Sequence, residues 1–168
     1  MVKDLLMITL VDNKGKKLGY MEKFKCHKFP LPLHSAISVL IFDKDKILLQ
    51  KRSKYKKTWP LVWANTCCSH PYKGESFLSA AKRRLKEEMG IESSLKELFR
   101  FTYKAIYDKT WGENEYDVVF TGNYKGEVKP DKKEVCEYKW VSLRDLKKDI
   151  SKNPKLYTPW LKLILERI

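Results

Sequence analysis

Between Ser76 and Gly90 the chain carries the stretch whose apolar spacing leaves least choice of structure. Phe77, Ala80, Ala81, Leu85 and Met89 recur near the period of about 3.6 that an α-helix imposes, and Gly90 stands where a glycine ends one. The flanking segments read as strands. Residues 4–11 (DLLMITLV) form a strand pattern followed by an Asn13-Lys14-Gly15 turn, and the runs 35–42 and 46–52 flank Asp43-Lys44-Asp45 as a hairpin. Strand patterns return at 97–106, 115–122 and 137–141. Ser142 then opens a short helix with Asp145 in the capping-box position, and 158–168 is a last helix with proline near its start. This order predicts an α/β (α+β) fold, a mixed sheet sandwiched by helices. No repeat or linker divides the chain, so residues 1–168 read as a single domain.

Composition narrows the classes. With 43% apolar residues the chain is globular rather than disordered, and no run approaches the roughly 18 apolar residues of a membrane span. The N-terminus has charges near its start and only a brief apolar run, unlike a signal peptide. Cys26, Cys67, Cys68 and Cys136 make no disulfide framework, which places the chain in a reducing cytoplasm. The net charge of +14 suits an anionic small molecule, nucleic acid or an acidic surface equally well, so charge alone does not choose a ligand.

The only three histidines, His27, His34 and His70, lie in Cys-His, Leu-His-Ser and Ser-His-Pro contexts. Glu113-Asn114-Glu115 follows downstream, and on a strand its two carboxylates project to the same face. Imidazole nitrogens and carboxylates together make a mixed nitrogen/oxygen cage for a divalent metal.

From Ser69 to Ile91 the sequence resembles the Nudix box. Glu75, Arg83 and the run Leu85-Lys86-Glu87-Glu88-Met89-Gly90-Ile91 fall at its spacing, the logic of which is carboxylates on one helix surface holding magnesium against a diphosphate. Two positions depart from the pattern: Ser69 replaces the opening glycine, and Arg84 replaces the glutamate that follows the arginine. A hydrolytic box leans on that glutamate for its metals, whereas an arginine forks onto phosphate oxygens. The box reads as one that binds a diphosphate without cutting it.

With Asn65-Thr66-Cys67-Cys68-Ser69-His70-Pro71 and Trp59, Trp63 and Trp160 in place, nearly the whole chain resembles the type 1 isopentenyl-diphosphate isomerases, a Nudix-fold family. The resemblance implies isomerisation of isopentenyl diphosphate to dimethylallyl diphosphate. In it Cys68 takes the C2 proton as a thiolate, Glu115 protonates the alkene with help from Tyr103, and the Trp160 ring lies over the developing cation. It implies one metal site of His27, His34, His70, Glu113 and Glu115, suited to Mg2+, Mn2+ or Zn2+, and a second ion, Mg2+, joining Glu88 to the substrate diphosphate. Lys23, Arg52, Lys56, Ser69 and Arg84 fall among the substrate-contacting positions. It further implies a small-molecule substrate, no nucleic acid, no membrane, and a monomer or homodimer. A Nudix hydrolase of a nucleoside or related diphosphate is the rival reading, but it has no use for Cys68, the histidines or Glu113-Asn114-Glu115. A basic nucleic-acid-binding domain leaves the metal-ligand pattern unexplained.

Overall fold

The computed structural model describes residues 7–168, so residues 4–6 of the first strand reading lie outside it. The central strand is β3 (His34–Asp43), which pairs in parallel with β8 (Gly112–Asn123), from His34 opposite Glu115 to Phe42 opposite Asn123. β7 (Lys96–Ile106) runs antiparallel to β8 on its far side. Beside β3 lie β1 (Met7–Val11) with β2 (Lys17–Glu22), and the three-residue β6 (Cys67–Ser69). β4 (Lys46–Arg52) leaves β3 through the Asp43–Lys46 hairpin and pairs with β9 (Val135–Ser142) and the short β5 (Trp63–Ala64). Together the nine strands make one mixed sheet.

Helices cover both faces. α1 (Lys23–Cys26) is a single turn, whereas α2 (Phe77–Met89) follows the spacing read from sequence. The Ser76 hydroxyl accepts from Ser79 N at 3.1 Å, and Gly90 takes φ 68° at the other end. A Cβ on Gly90 would meet the Lys129 carbonyl at 2.8 Å, so both the turn and the packing require glycine there. Ala80, Ala81, Leu85 and Met89 pack on Ile37, Val39, Ile41, Val118 and Phe120. On the opposite face α3 (Leu143–Lys152) and α4 (Pro159–Leu165) bring Leu146, Trp160, Leu161, Ile164 and Leu165 onto Leu40, Ile47, Leu49 and Val119. β3 is therefore buried on both sides from His34 to Ile41, which is why its sequence shows no polar/apolar alternation.

The sandwich and the principal elements agree with the sequence reading, and the differences are local. The terminal helix stops at Leu165, and β8 begins at Gly112, ahead of Glu113. β2, α1, β5 and β6 went unread because elements of two to six residues carry no usable period. No helix among the described residues is long and apolar enough to cross a membrane.

Candidate active site

β8 builds the centre of the site. Its period of two sends Glu113, Glu115 and Asp117 to the face covered by α4, while Tyr116, Val118 and Phe120 face α2. Glu115 sits between its two register partners, His34 on β3 and Tyr103 on β7. Tyr103 Oη donates to Glu115 Oε2 at 2.5 Å, and His34 Nε2 lies 3.7 Å from Glu115 Oε1. His27 follows α1, where its carbonyl accepts from Gly112 N at 3.0 Å, pinning it to the start of β8. His70 follows β6, with Nε2 2.8 Å from Glu115 Oε1.

The five residues read as metal ligands all converge. His27, His34, His70, Glu113 and Glu115 are buried, and one donor atom from each lies within 4.8 Å of the others. Several of these donors lack hydrogen-bond partners among the described residues, namely His27 Nδ1, His34 Nε2 and Glu113 Oε2. His27 Nδ1 and Glu113 Oε2 approach to 2.7 Å without hydrogen-bonding geometry. Buried polar atoms left so are costly unless a further group binds them, and two carboxylates facing three imidazoles fit a divalent cation. Outer contacts hold the cage in place: Pro32 O takes His34 Nδ1 at 2.9 Å, and Thr58 Oγ1 donates to Glu113 Oε1 at 3.0 Å. Burial holds the His70 ring well below the usual imidazole range, keeping it neutral as a ligand must be. Burial opposes charge on His27 too, but Glu113 and Glu115 outweigh it and raise its pKa. Burial likewise works against the charged form of Glu115, yet His34, His27 and Tyr103 lower it overall.

Beside the cage opens a cavity of about 280 Å³, lined by Cys68, Tyr103, Glu115 and Trp160 among others. Strand alternation separates the paired cysteines. Cys67 turns into the core under α2, whereas Cys68, opposite Ser38 in the β6–β3 pairing, faces the cavity. Burial pushes the Cys68 thiol up to about 12, partly offset by Arg52, whose Nη1 lies 3.7 Å from the sulfur. Burial works against the thiolate that the resemblance implies, while Arg52 and Lys56 both favour it. Trp160 is fixed by its indole N–H on Asn65 Oδ1 at 3.1 Å, and Trp59 meets its ring edge-on at 5.4 Å.

The four cations divide into two groups. Lys23, Lys56 and Arg84 gather around Glu134, with Ser69 lining the same cavity. Arg52 lines that cavity too but is held separately, its Nε on Trp59 O at 3.0 Å, its Nη2 on Thr58 O at 2.9 Å, and its guanidinium 5.2 Å from the Trp160 ring. The loop that supplies those carbonyls is strained, with Trp59 at φ 44° and Leu61 at φ 59°. Glu88 does not line the cavity. It is buried behind Arg84, with Oε1 accepting from Arg84 Nη2 at 2.7 Å and Oε2 from Gln50 Nε2 at 2.9 Å. Glu75 and Arg83 form a bidentate pair at 2.7 and 2.8 Å that ties the loop before α2 to the helix. Sequence reasoning did not single out Thr58 or Glu134. Thr58 precedes the conspicuous Trp59-Pro60, but Glu134 is one acid after a pair of lysines and carries no local signal.

Comparisons with known proteins show the family and the fold. The NUDIX domain family matches residues 32–161. The chain is 41% identical over 162 residues to isopentenyl-diphosphate Delta-isomerase 1 of Aromatoleum aromaticum, covering 96% of this chain and 91% of the relative. It is 40% identical to the isopentenyl-diphosphate Delta-isomerase of Nocardia farcinica, covering 95% and 92%. In fold it is similar to the crystal structure of DR0079 from Deinococcus radiodurans, with TM-score 0.79 at 13% identity over 96% of this chain and 98% of that one. The MutT protein of Methanosarcina mazei Go1 follows at TM-score 0.67 and 22% identity, over 81% and 92%. With that fold, and with isomerase relatives matched over nearly its full length, the chain belongs to the Nudix family and, within it, to the isopentenyl-diphosphate Delta-isomerases.

Proposed function

We propose that this protein converts isopentenyl diphosphate to dimethylallyl diphosphate by moving one proton onto the terminal alkene carbon and another off C2. The observation that carries the reading is the pairing of Glu115–Tyr103 with Cys68 and Trp160 around one cavity. A proton delivered to the terminal carbon from the Glu115–Tyr103 pair leaves a tertiary cation at C3. Loss of the C2 proton to the Cys68 sulfur then closes the C2=C3 double bond, so one proton enters and one leaves. Such a cation does not survive water, which is the reason for a closed aromatic pocket. The Trp160 face contributes roughly 0.5–2 kcal/mol of cation–π attraction. Cys68 acts as the base in its thiolate form, which the charges of Arg52 and Lys56 favour.

His27, His34, His70, Glu113 and Glu115 would hold one divalent ion, Mg2+, Mn2+ or Zn2+, and Glu88 a second, Mg2+, with the diphosphate. Bound there, such ions fix carboxylate direction, tune acidity and neutralise phosphate charge. Glu88 reaches that role only by exchanging its bond to Arg84, so the two act as a unit. Lys23, Arg52, Lys56, Ser69 and Arg84 take the diphosphate, and Arg52 also serves the Cys68 and Trp160 wall. We assign the reaction to one domain in the cytoplasm, where four free cysteines are in keeping with a reducing environment.

The test is a product assay by NMR on purified, metal-replete protein given isopentenyl diphosphate and magnesium. Dimethylallyl diphosphate without free phosphate is the expected result. Phosphate release without isomer would replace this reading with a Nudix hydrolase.

A further inference from the structure

Glu134 stands where three cations meet. Its backbone is fixed on both sides, N–H to Asp131 O at 2.9 Å and carbonyl to Ser53 N at 3.0 Å. Its two carboxylate oxygens are divided: Oε2 takes the Lys56 ammonium, from the loop after β4, and Oε1 takes Arg84 Nη2 at 3.2 Å, from α2. Lys23 shares the same electrostatic field. Glu134 also lines a second chamber of about 190 Å³, together with Lys23, Ser69 and Arg84, so it belongs to the partition between two spaces.

We infer that Glu134 is a positioning residue for anion recognition, holding Lys56 and Arg84 as a preformed fork for a diphosphate group. The inference rests on the isomerase reading only for the identity of the anion. Lysine and arginine side chains are rich in rotamers that binding must freeze, and like charges gathered in one cavity repel. A carboxylate on rigid backbone removes both penalties before the ligand arrives, so the ligand need not order the cations itself. Glu134 also leaves donors free. Arg84 Nε is buried without a partner among the described residues, and the Lys56 ammonium has three N–H groups, of which Glu134 needs one. Lys56 and Arg84 together hold Glu134 ionised down to about pH 2, against its own burial, so its negative charge is a standing feature of the cavity. A diphosphate would then join Glu134 on the fork without displacing it.

The experiment compares the parent protein with Glu134→Gln and Glu134→Asp, all metal-replete. Calorimetry gives the Kd of inorganic pyrophosphate with magnesium, and steady-state assays give KM and kcat for isopentenyl diphosphate. Glu134→Gln should weaken pyrophosphate and raise KM by roughly tenfold, about 1.4 kcal/mol, with kcat within about twofold of the parent. Glu134→Asp should recover part of that loss, and it carries the test alone if the Gln variant does not fold. Tighter pyrophosphate binding by the variants would make Glu134 a competitor of the substrate and overturn the proposal. Unchanged Kd and KM with a lowered melting point would overturn it too, leaving a purely structural ion pair. Failure of the parent to isomerise would sink the isomerase reading, while the pyrophosphate titration would still decide the role of Glu134.

Discussion

Tyr103 and Glu115 are direct partners in the β7–β8 pairing, and the phenol donates to the carboxylate at 2.5 Å inside the buried face of the sheet. The same carboxylate faces His34 and His70 through its other oxygen, so one side chain joins the cage to the cavity. Burial pushes the Tyr103 phenol well above its usual range, so it stays a neutral donor at physiological pH. Tyr103→Phe keeps the ring contacts with Phe101 and Trp160 but removes the donor. A hydrogen bond to a charged group contributes about 1.5–3 kcal/mol, so kcat should fall by roughly ten- to a hundredfold. Metal content by elemental analysis should not change, and a kcat equal to the parent's would remove Tyr103 from the chemistry.

The two adjacent cysteines should separate cleanly on mutation. Cys68→Ala should abolish isomerisation with melting temperature and metal content near the parent's, because its sulfur faces the cavity. Cys67→Ala should keep turnover but lose about 1–2 kcal/mol of stability, since it leaves a small void in the core under α2. The reverse pattern in activity and thermal melts would mean that the β6 register is wrong by one residue.

Removing a cage ligand and removing its support should differ in degree. His34→Ala deletes a buried imidazole, and metal should be lost on dialysis. Thr58→Val deletes only the hydroxyl bound to Glu113, and metal affinity should fall roughly tenfold, the lower end for an outer partner. Competition with a coloured chelator measures both. Parent-like affinity in Thr58→Val would show that Glu113 is held without it.

Acid should expose the Glu134 ion pairs. Lys56 and Arg84 overcome the effect of burial and depress its pKa from 4.5 to about 2. A depressed carboxylate gives stability that is complete above its unfolded pKa and lost as pH falls towards its folded one. The melting-temperature gap between the parent and Glu134→Gln should therefore be constant above about pH 5 and shrink towards pH 2. Partial exposure of the pair limits its size, and a gap that widens in acid would contradict the assignment.

The altered box should remain unable to hydrolyse its ligand. Arg84 stands where a hydrolytic box has a glutamate and is itself paired with Glu87, Glu88 and Glu134, so the box lacks one of its metal-holding carboxylates. Phosphate release from isopentenyl diphosphate or nucleoside diphosphates should stay at background by colorimetric assay.

Local rules settled much of this protein from sequence alone. The period of Phe77 to Met89, with its Ser76 and Gly90 ends, determines α2, and the apolar run of β3 marks a strand covered on both faces. Glu113 and Glu115 share a face by strand geometry alone, and the three histidines stood out as the only ones in the chain. Tertiary structure decided the rest. Parallel pairing of β3 with β8 sets His34 beside Glu115, and antiparallel pairing of β7 with β8 sets Tyr103 on its other side. Arg52, read with the phosphate-contacting cations, lines the same cavity and also reaches Cys68 and Trp160, because Thr58 and Trp59 carbonyls in a strained loop take two of its donors. Glu134 gained its place only when β9 folded against β4 and brought its carboxylate to Lys56 and Arg84. Periodicity constrains a residue only relative to its near neighbours, whereas a site is made of contacts across tens of residues, which sheet register and the packing of helices and loops set.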